Sequence, residues 1–168
     1  MKRTVFLFVC FVTLVTSGFA QGKPRGEKGI SSVGGIVGYV IERQSSVIGI
    51  DYRYNILDRV RLAPSALYLF EKYHEERLYL NADVHYLARI TREVTLYPIG
   101  GIGAALWRYK KAIGLLEGAD EWRLGVNLGF GGEIRMTKDI IVGTEFRYNW
   151  TKRYFNEAVI MGRVAYYF

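Results

Sequence analysis

Between Arg77 and Ile90 every even position is apolar (Leu78, Leu80, Ala82, Val84, Tyr86, Ala88, Ile90), while the odd positions carry Arg77, Asn81, Asp83, His85 and Arg89. A period of two over this length predicts a long β-strand with one oily and one ionic face. The alternation recurs. In 47–57, Ile48, Ile50, Tyr52, Tyr54 and Ile56 oppose Gly49, Asp51, Arg53 and Asn55. In 122–136, Trp122, Leu124, Val126, Leu128, Phe130, Ile134 and Met136 oppose Arg123, Asn127, Glu133 and Arg135. Segment 139–150 sets Ile140, Val142, Thr144, Phe146, Tyr148 and Trp150 against Gly143, Glu145, Arg147 and Asn149, and the last segment sets Ile160, Val164, Tyr166 and Phe168 against Arg163. Strands are predicted at about 33–42, 47–57, 60–70, 77–90, 94–108, 122–136, 139–150 and 157–168, an all-β chain of eight strands. In 33–42 and 94–108 both faces hold Gly and apolar residues, so their orientation stays open.

The connections alternate too. Asp58-Arg59, Thr91-Arg92-Glu93 and Thr137-Lys138 are tight turns, whereas Arg43–Ser46, Glu71–Glu76, Tyr109–Glu121 and Thr151–Asn156 are mostly longer and more polar. Short turns at one end and longer loops at the other predict an antiparallel up-and-down barrel, with both termini at the short-turn end.

Which face points outward decides what kind of barrel this is. A soluble barrel would turn its charges to water. Here the oily face is uncharged along the strand bodies, and the opposite face mixes Arg, Asp and Glu with Gly101, Gly103, Gly125, Gly129 and Gly131. Small residues beside arginines predict a crowded interior rather than a solvated surface. With the oily face outward, Tyr68, Phe70, Trp122, Tyr148 and Trp150 gather near the loop rim, and Tyr54, Tyr166 and Phe168 near the turn rim. Aromatic girdles around an aliphatic band predict a bilayer-spanning barrel. In hydrocarbon an unsatisfied backbone group costs several kcal/mol, so the sheet has to close. Pro64 and Pro98 sit awkwardly in such a sheet, and bulges or later strand starts are expected there.

Lys2-Arg3, the apolar run Val5–Val15 and Ser17-Gly18-Phe19-Ala20 have the form of a signal peptide cut after Ala20, followed by a flexible lead-in over 21–32 and the barrel over 33–168. Cys10, the single cysteine, falls inside the apolar run, so no disulfide or thiol chemistry is expected after cleavage. Without Lys2 and Arg3, 21 Lys and Arg face 16 Asp and Glu, and the formal charge drops from +7 to +5. The basic residues are scattered along the strands rather than gathered, which disfavours nucleic acid as a partner.

The signal peptide, the eight alternating segments and the terminal Val164-Ala165-Tyr166-Tyr167-Phe168 resemble the small eight-stranded outer-membrane β-barrel family of OmpA/OmpX type. The resemblance covers about 33–168. It implies an integral outer-membrane location in a Gram-negative bacterium with periplasmic termini. The partners it implies are outer-membrane lipid, lipopolysaccharide and the barrel-insertion machinery, which reads Tyr166 and Phe168. No segment of the 168 residues reads as the periplasmic peptidoglycan-binding domain of the longer family members, so a cell-wall tether is not expected.

On this reading Asp51, Arg53, Asp83, Arg89, Arg123, Glu133, Arg135, Glu145, Arg147 and Arg163 form an ionic network in the lumen, with Glu145 and Arg163 roughly opposite each other. An eight-stranded interior is just wide enough for side chains to fill, which favours a polar plug over an ion path. No catalytic, cofactor or metal site is expected. The His-x-Ser arrangement of lipid-A deacylase barrels is missing at His74 and His85; His85 reads as a hydrogen-bonding lumen residue, and His74 with Glu71, Glu75 and Glu76 as a solvated charge cluster. Gly100-Gly101-Ile102-Gly103 has Leu106 where a dinucleotide loop needs its third glycine. The loop Tyr109–Glu121 is the candidate surface contact: Lys110 and Lys111 precede Ile113, Leu115 and Leu116, an apolar spot. The expected function is structural or surface-interactive within the cell envelope, with a lipid-A-modifying enzyme or a narrow ion or solute channel as alternatives.

Overall fold

The computed structural model describes residues 27–72, 75–109, 120–151 and 155–168. The expected signal peptide, His74 and the loop residues Lys110, Lys111, Ile113, Leu115 and Leu116 lie outside them. Eight strands form a single antiparallel sheet: β1 (Ser31–Val40), β2 (Ser45–Leu57), β3 (Val60–Lys72), β4 (Glu75–Tyr86), β5 (Val94–Tyr109), β6 (Asp120–Arg135), β7 (Ile140–Thr151) and β8 (Phe155–Tyr167). After Leu87, β4 resumes as the two-residue extension Ala88–Arg89, which also pairs with β5. Each strand hydrogen-bonds its neighbour in sequence. β1 also pairs with β8, Ser32 opposite Tyr167 and Val40 opposite Val159, so the barrel is closed. Every predicted strand is present, most of them a residue or two longer at the loop end. β1 starts two residues inside the stretch expected to be a flexible lead-in, because Ser31 and Phe168 exchange two backbone hydrogen bonds of 2.9 Å.

The alternation resolves as expected over most of the wall. Ile50, Leu124, Leu128, Phe130 and Val164 are exposed, while Asp51, Arg53, Asn127, Glu133, Glu145, Arg147 and Arg163 are buried inside. The two ambiguous strands also take sides: β1 turns Ile36 and Val40 inward, and β5 turns Tyr97, Ile99, Ala105 and Trp107 inward. Lumen space is traded residue by residue. A Cβ on Gly34 would sit 2.6 Å from Asp51 Oδ1 and 2.7 Å from Arg163 Nε, and one on Gly131 would sit 2.5 Å from the Tyr97 ring.

Three details depart from the sequence reading. Neither proline causes a bulge or delays a strand. β3 runs through Pro64 and β5 through Pro98; the β2–β3 ladder lapses at Tyr52 and Arg53 beside Pro64, and the β4–β5 ladder lapses at Tyr86 and Leu87 beside Pro98, with register kept across both gaps. The irregularities fall instead between Asn55 and Leu57 and between Leu69 and Lys72, at strand ends. Ala88, expected on the exposed face, is buried, and Leu87 packs inside with Tyr97 and Ile99. Leu87 donates its N–H to Arg59 O (2.7 Å), in register with the β3–β4 ladder, and the lapse at this residue is in its pairing with β5.

The core lies inside the barrel in layers. Toward the loop end it is apolar, with Ile36, Val40, Val47, Leu67, Leu69, Val159 and Met161 packed around Tyr79 and Trp107. Below that layer lie the charged residues.

Candidate functional site: the ionic lumen

Arg53 of β2 is the hub. Its Nε lies 2.7 Å from Asp51 Oδ2 and its Nη1 3.2 Å from Glu133 Oε2; its Nη2 pairs with Glu145 Oε1. Nη1 also donates to the Tyr97 hydroxyl (3.0 Å), which in turn donates to Glu145 (3.0 Å). One planar guanidinium thus reaches three carboxylates on three strands. That suits arginine, whose five donors lie in a fixed fork, and not lysine.

The neighbouring arginines complete the layer. Arg61 of β3 grips Glu133 with both terminal nitrogens (2.9 and 2.8 Å) and donates from Nε to Asn55 (2.8 Å). Arg163 of β8 holds Asp51 (2.7 and 2.9 Å from Nε) and Ser32 (3.0 Å). Arg147 of β7 lies 3.1 Å from Asp83 Oδ2 and 3.2 Å from Glu145 Oε2. Asn127 donates to both Asp83 (2.9 Å) and Asn81 (3.0 Å). Each alternating strand delivers its ionic side chain at the same depth, which is how Arg163 meets Asp51, 112 positions away.

Nearer the loops, Glu157 accepts from Arg77 (2.6 Å), Arg43 (2.5 Å) and the Tyr79 hydroxyl (2.5 Å). The guanidinium carbons of Arg77, Arg123 and Arg43 lie 3.0, 3.9 and 5.0 Å from the Trp107 ring centroid. At the short-turn mouth, Arg89 and Arg135 each lie 2.8 Å from Glu27.

All ten residues expected in the lumen network face inward, but they do not form one cluster. Asp51, Arg53, Asp83, Glu133, Glu145, Arg147 and Arg163 share the central layer, whereas Arg123 sits against Trp107 and Arg89 and Arg135 against Glu27. Glu145 and Arg163 are not partners. The β7–β8 hairpin pairs Thr151 with Phe155, closer than the Thr151–Asn156 loop implies, so Glu145 faces Met161 and Gly143 faces Arg163. His85 is fully buried, yet neither ring nitrogen has a hydrogen-bond partner. It stacks on Tyr97 instead, 4.7 Å between centroids and 10° between planes.

Sequence reasoning missed Arg61, Glu157 and Glu27, and left Tyr97 and Trp107 unplaced. Arg61 and Glu157 do fall on inward positions of their strands, but Leu67, Leu69, Val159 and Met161 share that face and mask the ionic signal. Glu27 lies ahead of the first strand, where no periodicity exists to flag it.

Two exterior features complete the geometry. Tyr68, Phe70, Trp122, Tyr148 and Trp150 are exposed near the loop rim, and Tyr52, Tyr54, Tyr86, Tyr166 and Phe168 near the turn rim. Among the strand residues whose side chains the structure describes, no Asp, Glu, Lys or Arg is exposed on the outer wall.

No protein-family model and no curated protein matches the chain. Solved structures do. The N-terminal β-barrel domain of Pseudomonas aeruginosa OprF superposes with a TM-score of 0.73 at 13% identity, over 86% of this chain and 100% of that one. Ail, the attachment invasion locus protein of Yersinia pestis, gives 0.62 at 17% identity over 84% and 99%. Neisserial surface protein A gives 0.56 at 13% identity over 82% and 93%. The chain has the fold of the small eight-stranded outer-membrane β-barrels.

Proposed function

We propose that this chain is an integral outer-membrane protein whose lumen is a salt-bridged plug, and whose role is structural or surface-interactive rather than catalytic. The observation that carries this reading is the charge distribution. Among the described residues, five arginines (Arg53, Arg61, Arg77, Arg147, Arg163) and five carboxylates (Asp51, Asp83, Glu133, Glu145, Glu157) are buried inside, and no charged side chain that the structure describes is exposed on the outer wall of the strands. A bilayer accepts that arrangement, and water does not favour it, because an uninterrupted apolar exterior would aggregate. The buried charges are paired with one another across the lumen, and an interior of this bore is filled by its own side chains.

The short turns and the termini would face the periplasm, and the loops the outside. Surface contact then falls to the loop end, with the 109–121 segment as the part most able to meet a partner. Ail, by name an attachment invasion locus protein, has the same kind of barrel. Outer-membrane lipid and lipopolysaccharide would surround the wall, and the barrel-insertion machinery would read β8.

Fractionation together with heat-modifiable gel migration tests the location and the fold. Glu145→Ala tests the plug: it should lower the temperature at which the barrel loses its fast-migrating form without producing steady conductance in planar bilayers. Large stable channels in that variant, or in the parent protein, would support the channel reading in its place.

A further inference from the structure

Ahead of β1 the chain folds back over the short-turn mouth. Glu27–Ile30 is a turn in which the Ile30 N–H donates to Glu27 O (3.3 Å), with Gly29 at φ +86°. Asn55 of β2 fastens it: Gly29 N–H donates to Asn55 O (2.8 Å), Asn55 N–H donates to Ile30 O (3.0 Å), and the Asn55 side-chain amide donates to Glu27 O (3.1 Å). This places the Glu27 carboxylate, itself mostly shielded, between Arg89 Nη2 (2.8 Å), Arg135 Nη2 (2.8 Å) and the Tyr167 hydroxyl (3.0 Å). Those three donors come from the β4 extension, β6 and β8. Their meeting point is a residue that belongs to no strand. Beside it lies a small recess, about 10 Å³ with the carboxylate in place, that Arg92, Glu93, Glu133 and Ile141 also line.

We propose that Glu27 is a latch: it seals the short-turn mouth of the lumen, and its release uncovers a basic vestibule, built by Arg89, Arg135 and Tyr167, that binds carboxylates. The donors are already arranged for a carboxylate, because one occupies them in cis, and charge-assisted bonds of this kind are the strong class. The latch can open without disturbing the wall, since the barrel ladders close around it. Its hinge is Gly29. The positive φ favours glycine, yet an added Cβ would meet nothing within 4 Å, so Gly29→Ala loosens the turn while leaving every mouth side chain in place.

The test uses two reporters in the full chain carrying Cys10→Ser, folded in detergent: Ile141→Cys beside the recess and Val47→Cys in the loop-end core, both buried in the parent. Their reaction rates with small anionic and cationic methanethiosulfonates are compared with and without Glu27→Gln or Gly29→Ala. The latch predicts that both substitutions speed the Ile141→Cys reaction by about tenfold or more, as a local opening would, with the anionic reagent gaining most and Val47→Cys unchanged. Unchanged Ile141→Cys rates in both variants would overturn the proposal. Equal acceleration of the two reporters would overturn it as well, since that signifies general loosening.

Discussion

Arg53 shows what a single residue can do in this lumen. Its guanidinium is buried to 2% exposure and touches Asp51, Glu133, Glu145 and Tyr97. Removing one partner of a buried ionic set strands the others, a loss of typically about 3–5 kcal/mol. Arg53→Ala should lower unfolding stability in detergent by that order, measured by urea titration of tryptophan fluorescence, and Arg53→Lys should recover only part because a point charge cannot fork to three carboxylates. Among the described residues, the lysines Lys28, Lys72 and Lys138 fall in turns or at a strand end, consistent with that demand. Gly131 makes the complementary point about volume. Gly131→Val would drive into the Tyr97 ring and the Glu145 stem, a misfit of about 1–3 kcal/mol, visible in the same titration as an earlier midpoint.

At the scale of elements, the strands were legible because one face of each had to be uniformly apolar for about ten residues, a signal that survives boundary errors. Legibility failed where that contrast failed. In β3 and β8 the inward face carries Leu67, Leu69, Val159 and Met161 beside Arg61 and Glu157, so the two ionic residues drew no attention. In β5, Tyr97 and Trp107 point inward through a strand rich in glycine on both faces, and only closure of the sheet settles their side. Register was readable to about two residues, which suffices to put Glu145 and Arg163 on one face and not to pair them. The last strand carries a prediction of its own. Tyr166 and Phe168 are exposed with ring centroids 6.4 Å apart, away from the lumen network, so they are free to serve as an assembly signal. Truncating Phe168 should reduce the heat-modifiable fraction assembled in cells while refolding of the purified chain in detergent proceeds. Deleting 110–120 should likewise leave assembly intact and abolish any surface contact that resides there, as a pull-down against the parent would register.

For the molecule as a whole, closure and inversion depend on each other. A closed sheet satisfies every strand edge, which hydrocarbon demands, and the charges excluded from hydrocarbon then have only the lumen to occupy, where each must find a partner. Leu128, exposed on the wall of β6, should accordingly resist charge: Leu128→Arg should destabilise the barrel in lipid by about 2–4 kcal/mol if it lies near the bilayer midplane. The most direct test of the inversion uses the three tryptophans, of which Trp122 and Trp150 are exposed and Trp107 is buried among arginines. In vesicles of brominated lipid, a variant retaining only Trp150 should be strongly quenched and one retaining only Trp107 should keep its emission. Quenching of Trp107 with Trp150 spared, or no quenching of either in a barrel that stays soluble without lipid, would contradict the account.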